Sequence, residues 1–518
     1  LALDPLERRL PLRVDTAQEA TLLARLEAAR QVYNACLGES LRRREHLLYS
    51  TDYQTARAMK RGAERTKAFA DAQKAAGFEE YALHDYAGQF GQEWLGQHLD
   101  SLTIQKLASR AFDAVEKYHY GQRGRPRFKS EGQLDSVEGK TNKSGIRCCT
   151  ATVEQEVVKY VLWSKLRLDP IIDPHDKVVQ HGLAAPVKYV RIVRRKVNGQ
   201  NRFYVQLVCQ GVPYRKEYHP LGEGKVGLDI GPSTIAIVSA IQAVLLLFCA
   251  QLERRDKVIL RLQRQRDRQQ RANNPDNYNP DGTIGKGKKT WKKSRRQAQT
   301  ERKLAELQRQ QAAYRQSLHG QLVHLILAHG NDIRMEKLSY RAFQKRFGRS
   351  VAFRAPGTFV NLLKRKVANT GAALTEFSTY HTKLSQTCHH CGKVVKKPLS
   401  QRWHRCDCGV EAQRDLYSAF LATCVDNNRL NADQAEEAWS GVDTLLRTAL
   451  SDAQAQRASG GRPPASFGLN QRGVRRPAKF EGQVAKAIGA VGERATASAY
   501  AEREVVHPSE PSAFRHGE

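Results

Sequence analysis

GKVGLDIG, residues 224–231, alternates its side chains with the period of two that marks a strand. Val226, Leu228 and Ile230 share one face, which leaves Asp229 on the other, between Gly227 and Gly231. Glycines flanking a mid-strand acid let a bulky ligand approach the backbone. TIAIVSA (234–240) and AVLLLFCAQL (243–252) read as the next two strands, so a new sheet begins here.

Two further acids belong beside Asp229. In NDIRMEKL (331–338), Ile333 and Met335 point one way and Glu336 the other, near a strand end. Asp415 opens an apolar helix, DLYSAFLA (415–422), where an N-terminal cap is the simplest use of an Asp. Taken singly, each acid is equally well an ion-pair partner for one of the 85 Lys and Arg residues. Taken together they follow one order: Asp on the first strand of a mixed sheet, Glu on a later strand, Asp on a following helix. That order resembles the ribonuclease-H-like fold, in which three such acids hold two divalent ions. Carboxylate oxygens suit Mg²⁺, or Mn²⁺ in its place, and paired ions activate water and stabilise the leaving oxygen of a phosphodiester.

Just before Asp415, Cys388-x2-Cys391 and Cys406-x1-Cys408 supply four thiolates across a loop of 14 residues. Two chelating sulfur pairs suit tetrahedral Zn²⁺. The second pair is tighter than the usual CxxC, which leaves His390 or His404 as an alternative fourth ligand. Four protein ligands close the coordination sphere, so the zinc is expected to be structural. Lys393, Lys396, Lys397, Arg402 and Arg405 give the loop the look of a nucleic-acid-facing finger.

The whole chain is basic: 518 residues carry a net charge of +32 and a pI near 9.9. Such an excess draws polyanions, nucleic acid first, because neutralising phosphates releases counterions. Membrane anchoring fits poorly, since the most apolar run (243–252) is half the ~20 residues a span needs. No signal peptide is expected, because Arg8 and Arg9 precede a strand-like segment. Ten cysteines in so long a chain do not form a disulfide scaffold, and a reducing cytoplasm is expected, with nucleoid association. Cys36, Cys148, Cys149, Cys209, Cys249 and Cys424 read as core residues.

Upstream of 224 the pattern changes twice. LPLRV (10–14) reads as a short strand, and Thr16 to Glu19 forms a capping-box pattern ahead of a helical block reaching 118. GQRGRPRFKS (121–130) punctuates the chain, and strands follow to about 215. KYVRIVRRKV and RFYVQLVC flank Asn198-Gly199, a hairpin signal, and a small β-barrel with a basic face is expected. Residues 253–330 read as charged helix interrupted by NNPDNYNPDGTIGKGKK. Lys286, Lys288, Lys289, Lys292, Lys293, Arg295 and Arg296 make that stretch a candidate phosphate-tracking surface. From about 459 the chain is rich in Gly, Pro and Arg and is expected to be flexible.

The order VGLDIG … IRMEKL … LSQTCHHCG … CDCG … QRDLYSAFLA resembles the RuvC-like nuclease of TnpB, the RNA-guided endonuclease of insertion sequences, which is similar to compact type V CRISPR effectors. The resemblance covers about 1–425 and is softer before 221, where LPLRVDTAQEA, RQVYNACL and GRPRFKS carry it. It implies an α+β multidomain chain: wedge β-barrel (1–17 and 119–220), helical recognition lobe (18–118), RuvC-like RNase H-like α/β nuclease domain (221–384), inserted zinc ribbon (385–409), a RuvC C-terminal helix (410–425) and an extension (426–518) outside the family pattern. It implies Asp229, Glu336 and Asp415 as magnesium-binding catalytic acids, and Cys388, Cys391, Cys406 and Cys408 as zinc ligands. The family's last motif commonly reads Asp-Arg-Asp-x-Asn-Ala, whereas this chain has Gln413 and Tyr417 where acid and Asn are frequent.

The function implied is RNA-guided DNA endonuclease, with guide RNA and target double-stranded DNA as partners. A guided DNA-binding protein with weak or no cleavage, and a guide-independent transposase- or resolvase-like nuclease, are the alternatives.

Overall fold

The computed structural model describes residues 6–153, 156–398, 401–455 and 467, with backbone alone at 6–8, 153, 156 and 253–255. The flexible tail expected from 459 lies outside these residues, apart from Phe467.

Strand β1 (Leu6–Arg13) leads into five helices: α1 (Thr16–Tyr49), α2 (Thr51–Ala58), α3 (Ala63–Ala75), α4 (Glu80–Gly88) and α5 (Ser101–His119). The capping box is one residue earlier than the sequence pattern suggests. Asp15 accepts from the N–H of Gln18, and the Gln18 side chain returns the bond to Asp15. Both Asp15 and Thr16 have capping side chains, and the extended backbone at Asp15 settles the choice.

Six strands follow: β2 (Ser136–Glu138), β3 (Ile146–Val153), β4 (Glu156–Trp163), β5 (Leu166–Pro170), β6 (Val187–Val197) and β7 (Gln200–Cys209), with helix α6 (Lys177–Ala184) between β5 and β6. With β1 they form one antiparallel half-barrel sheet, ordered β2-β6-β7-β1-β5-β4-β3. The β6–β7 hairpin turns at Asn198 and Gly199, whose φ angles are 51° and 82°. Two positive φ angles are what a two-residue hairpin loop needs, and Val197 accordingly pairs with Gln200. Leu22, Leu26 and Val32 of α1 share a single core with Ile192, Val205 and Leu207 of the sheet. Helices and half-barrel are thus packed on the same apolar interior.

The second sheet holds β8 (Lys225–Ile230), β9 (Thr234–Ser239), β10 (Ala243–Leu247), β11 (Asp332–Glu336) and β12 (Ala373–Phe377), ordered β10-β9-β8-β11-β12. The first three are antiparallel neighbours, and β8, β11 and β12 run parallel. Helices α7 (Glu253–Asn273) and α8 (Arg295–His329) lead from β10 to β11, and α9 (Tyr340–Arg354) and α10 (Pro356–Thr370) from β11 to β12. One face of the sheet is apolar: Val226, Leu228, Ile230, Ile333 and Met335 pack with Ile326 of α8 and Phe359 and Leu363 of α10.

The other face carries the acids. After α11 (Thr379–Thr382) and the paired strands β13 (Trp403–Arg405) and β14 (Glu411–Gln413) comes α12 (Arg414–Thr423), and then α13 (Ala432–Ala455). A Cβ on Gly227 would lie 1.8 Å from the carbonyl oxygen of Ala419. Gly227 therefore makes room for α12, rather than for the ligand its place beside Asp229 suggested. Among the described residues, no helix is long and apolar enough to cross a membrane.

Candidate functional site

Alternation on β8 and β11 turns Asp229 and Glu336 away from the apolar core, toward α12. Asp415 is the second residue of α12 and does not cap it. The side-chain oxygen of Gln413 accepts from the N–H of Leu416 at 2.7 Å instead, which frees the Asp415 carboxylate for the sheet. All three acids line one cavity of about 620 Å³.

Each acid is held differently. Thr234 Oγ1, on the neighbouring strand β9, donates to Asp415 Oδ2 at 3.2 Å. Thr382 Oγ1 lies 3.3 Å from Glu336 Oε1, and the backbone N–H of Leu384 also bonds this carboxylate. Burial nonetheless pushes Glu336 above the usual carboxylate range, with these two bonds opposing it. Asp229 lies well above its ordinary value, first through loss of solvent and then through the negative charges of Asp415 and Glu336. Crowding and burial thus raise the proton affinity of two of the three carboxylates, a pattern that clusters at functional sites.

Two arginines flank Asp415. Arg414 Nε is 3.6 Å from Asp415 Oδ1, but its guanidinium donates to the carbonyls of Gln401 and Pro398 at 2.9 and 3.3 Å. Arg402 Nη1 stands 3.9 Å from Asp415 Oδ1. Both separations exceed hydrogen-bond reach, so the two arginines act on Asp415 as neighbouring charges and neither clamps it with a direct hydrogen bond. Ser418 Oγ, one helical turn after Asp415, is buried at the cavity wall and has no hydrogen-bond partner among the described residues.

The four cysteines converge. Their sulfur atoms all lie within 4.8 Å of one another, with Cys388–Cys408 at 3.5 Å and Cys391–Cys406 at 3.4 Å. Sulfurs about 2.3 Å from one zinc stand about 3.8 Å apart at the corners of a tetrahedron, so the set suits that ion. Neither histidine alternative joins it. His390 Nδ1 contacts Glu436 Oε1 at 2.9 Å, and the buried ring of His404 packs 4.3 Å from the ring of Tyr417.

The cluster is tied to α12 through Tyr417. The backbone N–H of His389, next to Cys388, donates to the Tyr417 hydroxyl at 3.0 Å, and that hydroxyl lies 2.7 Å from His389 Nδ1. Burial holds His389 below its usual pKa, so a neutral ring accepts the phenol proton. Trp439 of α13 closes this contact, with its ring 4.8 Å from His389 and 5.7 Å from Phe420. Two of the loop's cations are paired on its surface, Lys393 with Asp407 and Arg405 with Glu411, both at 2.7 Å. Lys396, Lys397 and Arg402 line the acid cavity instead, where Lys397 contacts His404 and Arg402 faces Asp415.

Thr234, Thr382 and Ser418 are not singled out by the sequence, which marks Arg402 only as one of the loop cations and Tyr417 only as a departure from the family motif. Of the first three, Thr234, the first residue of the strand after DIG, carries a positional hint. Lys286, Lys288, Lys289, Lys292, Lys293, Arg295 and Arg296 sit at the α7–α8 junction, and none of them lines the acid cavity.

Residues 357–421 match the family model of the Cas12f1-like TNB domain. This TNB-like segment runs from α10 through the four cysteines to Asp415 and Tyr417. The match supports the resemblance to TnpB-like compact type V effectors. Among solved structures, the chain is similar to a cryo-EM structure of a Cas12f1–sgRNA–target DNA complex, at 13% identity over 78% of this chain and 82% of that one, with a TM-score of 0.44. It is similar also to a cryo-EM structure of a CRISPR-Cas12f ternary complex, at 13% identity over 80% and 82%, with a TM-score of 0.24. No curated protein matches the chain.

Proposed function

We propose that this chain is an RNA-guided DNA endonuclease of the TnpB and compact type V kind, which hydrolyses phosphodiester bonds at the cavity of Asp229, Glu336 and Asp415. The observation that carries the proposal is the meeting of three acids, far apart in sequence, in one cavity beside a four-cysteine ribbon. The β10-β9-β8-β11-β12 order, with β9 antiparallel and three parallel strands beyond it, is the frame expected of an RNase H-like, RuvC-type domain. The TNB-like segment supplies the family context for the ribbon and its following helix. Guide RNA and target DNA are the polyanions for which a charge of +32 is suited.

The donor set fits divalent cations. It offers three carboxylates, two of them with raised proton affinity, and an unpartnered Ser418 hydroxyl. Asp229, Glu336 and Asp415 would hold Mg²⁺ or Mn²⁺, which when bound activates water and neutralises the leaving oxygen. Thr234 fixes the direction of the Asp415 carboxylate, and Thr382 stands beside Glu336. Arg402, at the rim beside Asp415, offers donors to a phosphate entering the cavity. Cys388, Cys391, Cys406 and Cys408 would hold a structural zinc, a cross-link for the ribbon that carries Arg402.

The test is cleavage of a target plasmid by the purified protein with its cognate guide RNA in Mg²⁺, beside Asp229→Ala. Cutting by the wild type alone, abolished by chelation, is the expected result. Equal inactivity of both proteins, with guided binding retained, would instead indicate a guided binder. Cutting without any RNA would indicate a guide-independent nuclease.

A further inference from the structure

The segment between α7 and α8 reads in sequence as an interruption, yet it is built as a fixed tip. Four asparagines staple it. Asn273 Nδ2 donates to Gln297 Oε1 at 2.8 Å and Ser294 Oγ at 3.1 Å. Asn274, 6% exposed, donates to the carbonyls of Gln270 and Lys292 at 2.9 Å and accepts from the N–H of Lys292. Asn277 Nδ2 reaches the carbonyl of Thr290 at 2.8 Å, and Asn279 Nδ2 reaches Thr283 Oγ1 at 2.9 Å. Tyr278 and Ile284 form a β-bridge across the loop.

The stapled loop presents an aromatic pair. Trp291 meets Tyr278 edge-on, with ring centroids 5.9 Å apart and planes at 78°, and Arg271 lies over the Tyr278 ring at 5.5 Å. Trp291 keeps 36% of its surface exposed, and Ile284, bridged to Tyr278, keeps 55%. Around Trp291 in sequence stand Lys286, Lys288, Lys289, Lys292, Lys293, Arg295 and Arg296. Among the described residues only Lys293 of these seven has an ion pair, with Glu301 at 2.9 Å.

A run of lysines is ordinarily a solvated face, and such a face needs neither a locked backbone nor an exposed indole. Here part of the conformational cost of ordering is met before any partner arrives, by asparagine side-chain hydrogen bonds, those of the buried Asn274 first among them, that a plain linker lacks. An exposed indole on a stapled loop, with cations on either side of it in sequence, matches the two chemistries of an unpaired nucleotide, base stacking and phosphate charge. A duplex offers the same phosphates but hides its base faces. We infer that the tip at 273–296 is a binding site for single-stranded nucleic acid, in which Trp291 stacks on an unpaired base and the lysines take the flanking phosphates. The inference deepens the nucleic-acid reading of the chain and concerns a surface apart from the acid cavity.

The experiment uses the full chain without guide and three fluorescein-labelled probes of about 15 nucleotides: oligo(U), oligo(dT) and a blunt duplex. Anisotropy titrations are repeated across a range of KCl. Trp291→Ala is expected to weaken both single strands about five- to ten-fold, leave the duplex within about two-fold, and leave the slope of log K against log salt unchanged. Trp291→Phe is expected to restore most of the affinity. The triple change Lys286→Ala, Lys288→Ala, Lys289→Ala is expected to lower the salt slope for every probe. Single-strand binding by Trp291→Ala at the wild-type level overturns the inference, as does an equal loss for duplex and single strand. A loss for oligo(U) alone or oligo(dT) alone supports it and assigns the tip to RNA or to DNA. Neither guide nor cleavage enters the measurement, so its failure and the failure of the Asp229-dependent cleavage test are separate events.

Discussion

Gly227→Ala places one methyl group between the strand of Asp229 and the helix of Asp415. The added carbon falls 1.8 Å from the Ala419 carbonyl oxygen and 2.9 Å from its carbon, where real Cβ contacts essentially never come under 3.0 Å. The obstacle is backbone inside α12, so no side chain can swing aside to relieve it. The helix must retreat by about 1.2 Å or more to clear the contact. Asp415 sits one turn before Ala419 on the same rigid helix and moves with it, away from Asp229. A displacement of about 1 Å at a reacting centre costs on the order of 10²-fold in rate, and overpacking of this kind costs about 1–3 kcal/mol of stability. The assay is the single-turnover rate of guided cleavage in Mg²⁺, read beside the unfolding temperature and the zinc content. Gly320→Ala serves as control, because α8 leaves nothing within 4 Å of a methyl there, and an alanine in a helix interior is worth up to about 1 kcal/mol. Gly227→Ala should lose about a hundred-fold in rate while keeping its zinc. Cleavage at the control's rate would refute the claim that the packing of α12 on β8 sets the geometry of the acids.

Three further outcomes are expected. Tyr417→Phe leaves the buried His389 N–H and ring nitrogen without their shared partner, which costs about 1–3 kcal/mol in thermal unfolding and loosens zinc on titration with a chelator. Cys391→Ser opens the four-sulfur set, and metal analysis should find zinc lost and guided cleavage lost with it, since a structural zinc contributes on the order of 10 kcal/mol to a small module. Asp229→Asn should stabilise the metal-free chain at neutral pH. Because folding raises the Asp229 pKa, its contribution is fully present below the unfolded value of about 4 and is lost as pH rises through the raised one. The unfolding temperature of the variant should therefore pull ahead of the wild type as pH climbs from about 4, and added Mg²⁺ should stabilise the wild type more than the variant. A constant difference across pH would argue against a desolvated, crowded carboxylate.

What could be read from the sequence was whatever follows from local periodicity. Alternation in VGLDI and DIRME placed Asp229 and Glu336 on the acid face, the Asn198-Gly199 pair fixed the hairpin register, and the cysteine spacings located the ribbon. What failed depended on through-space partners. Gly227 looks the same in sequence whether its missing Cβ admits a substrate or a helix. The loop cations Lys393 and Arg405 cannot be discounted until Asp407 and Glu411 are seen beside them. Thr382 lies 46 residues from Glu336 along the chain, and no pattern within either segment links them. The stretch after 425 reads in sequence as an extension outside the family pattern, yet α13 returns to place Trp439 against His389 and Phe420.

The two departures from the family's last motif acquire a physical account from the geometry of α12. Successive residues turn by about 100°, so Asp415 and Tyr417 lie about 200° apart and face opposite sides. Asp415 and Ser418 line the acid cavity, while Tyr417 and Phe420 face His389 and Trp439. Tyr417 thus replaces a polar residue on the side away from the carboxylates, where its hydroxyl joins the helix to the backbone beside Cys388. Gln413 retains what an acid would do for the first turn, accepting the Leu416 N–H, without adding a fourth negative charge next to Asp229 and Asp415. Both changes act on how firmly the helix is held, and neither removes a donor from the cavity. The acid-bearing face and the ribbon-facing side of one short helix can therefore vary separately, provided the helix stays seated on Gly227.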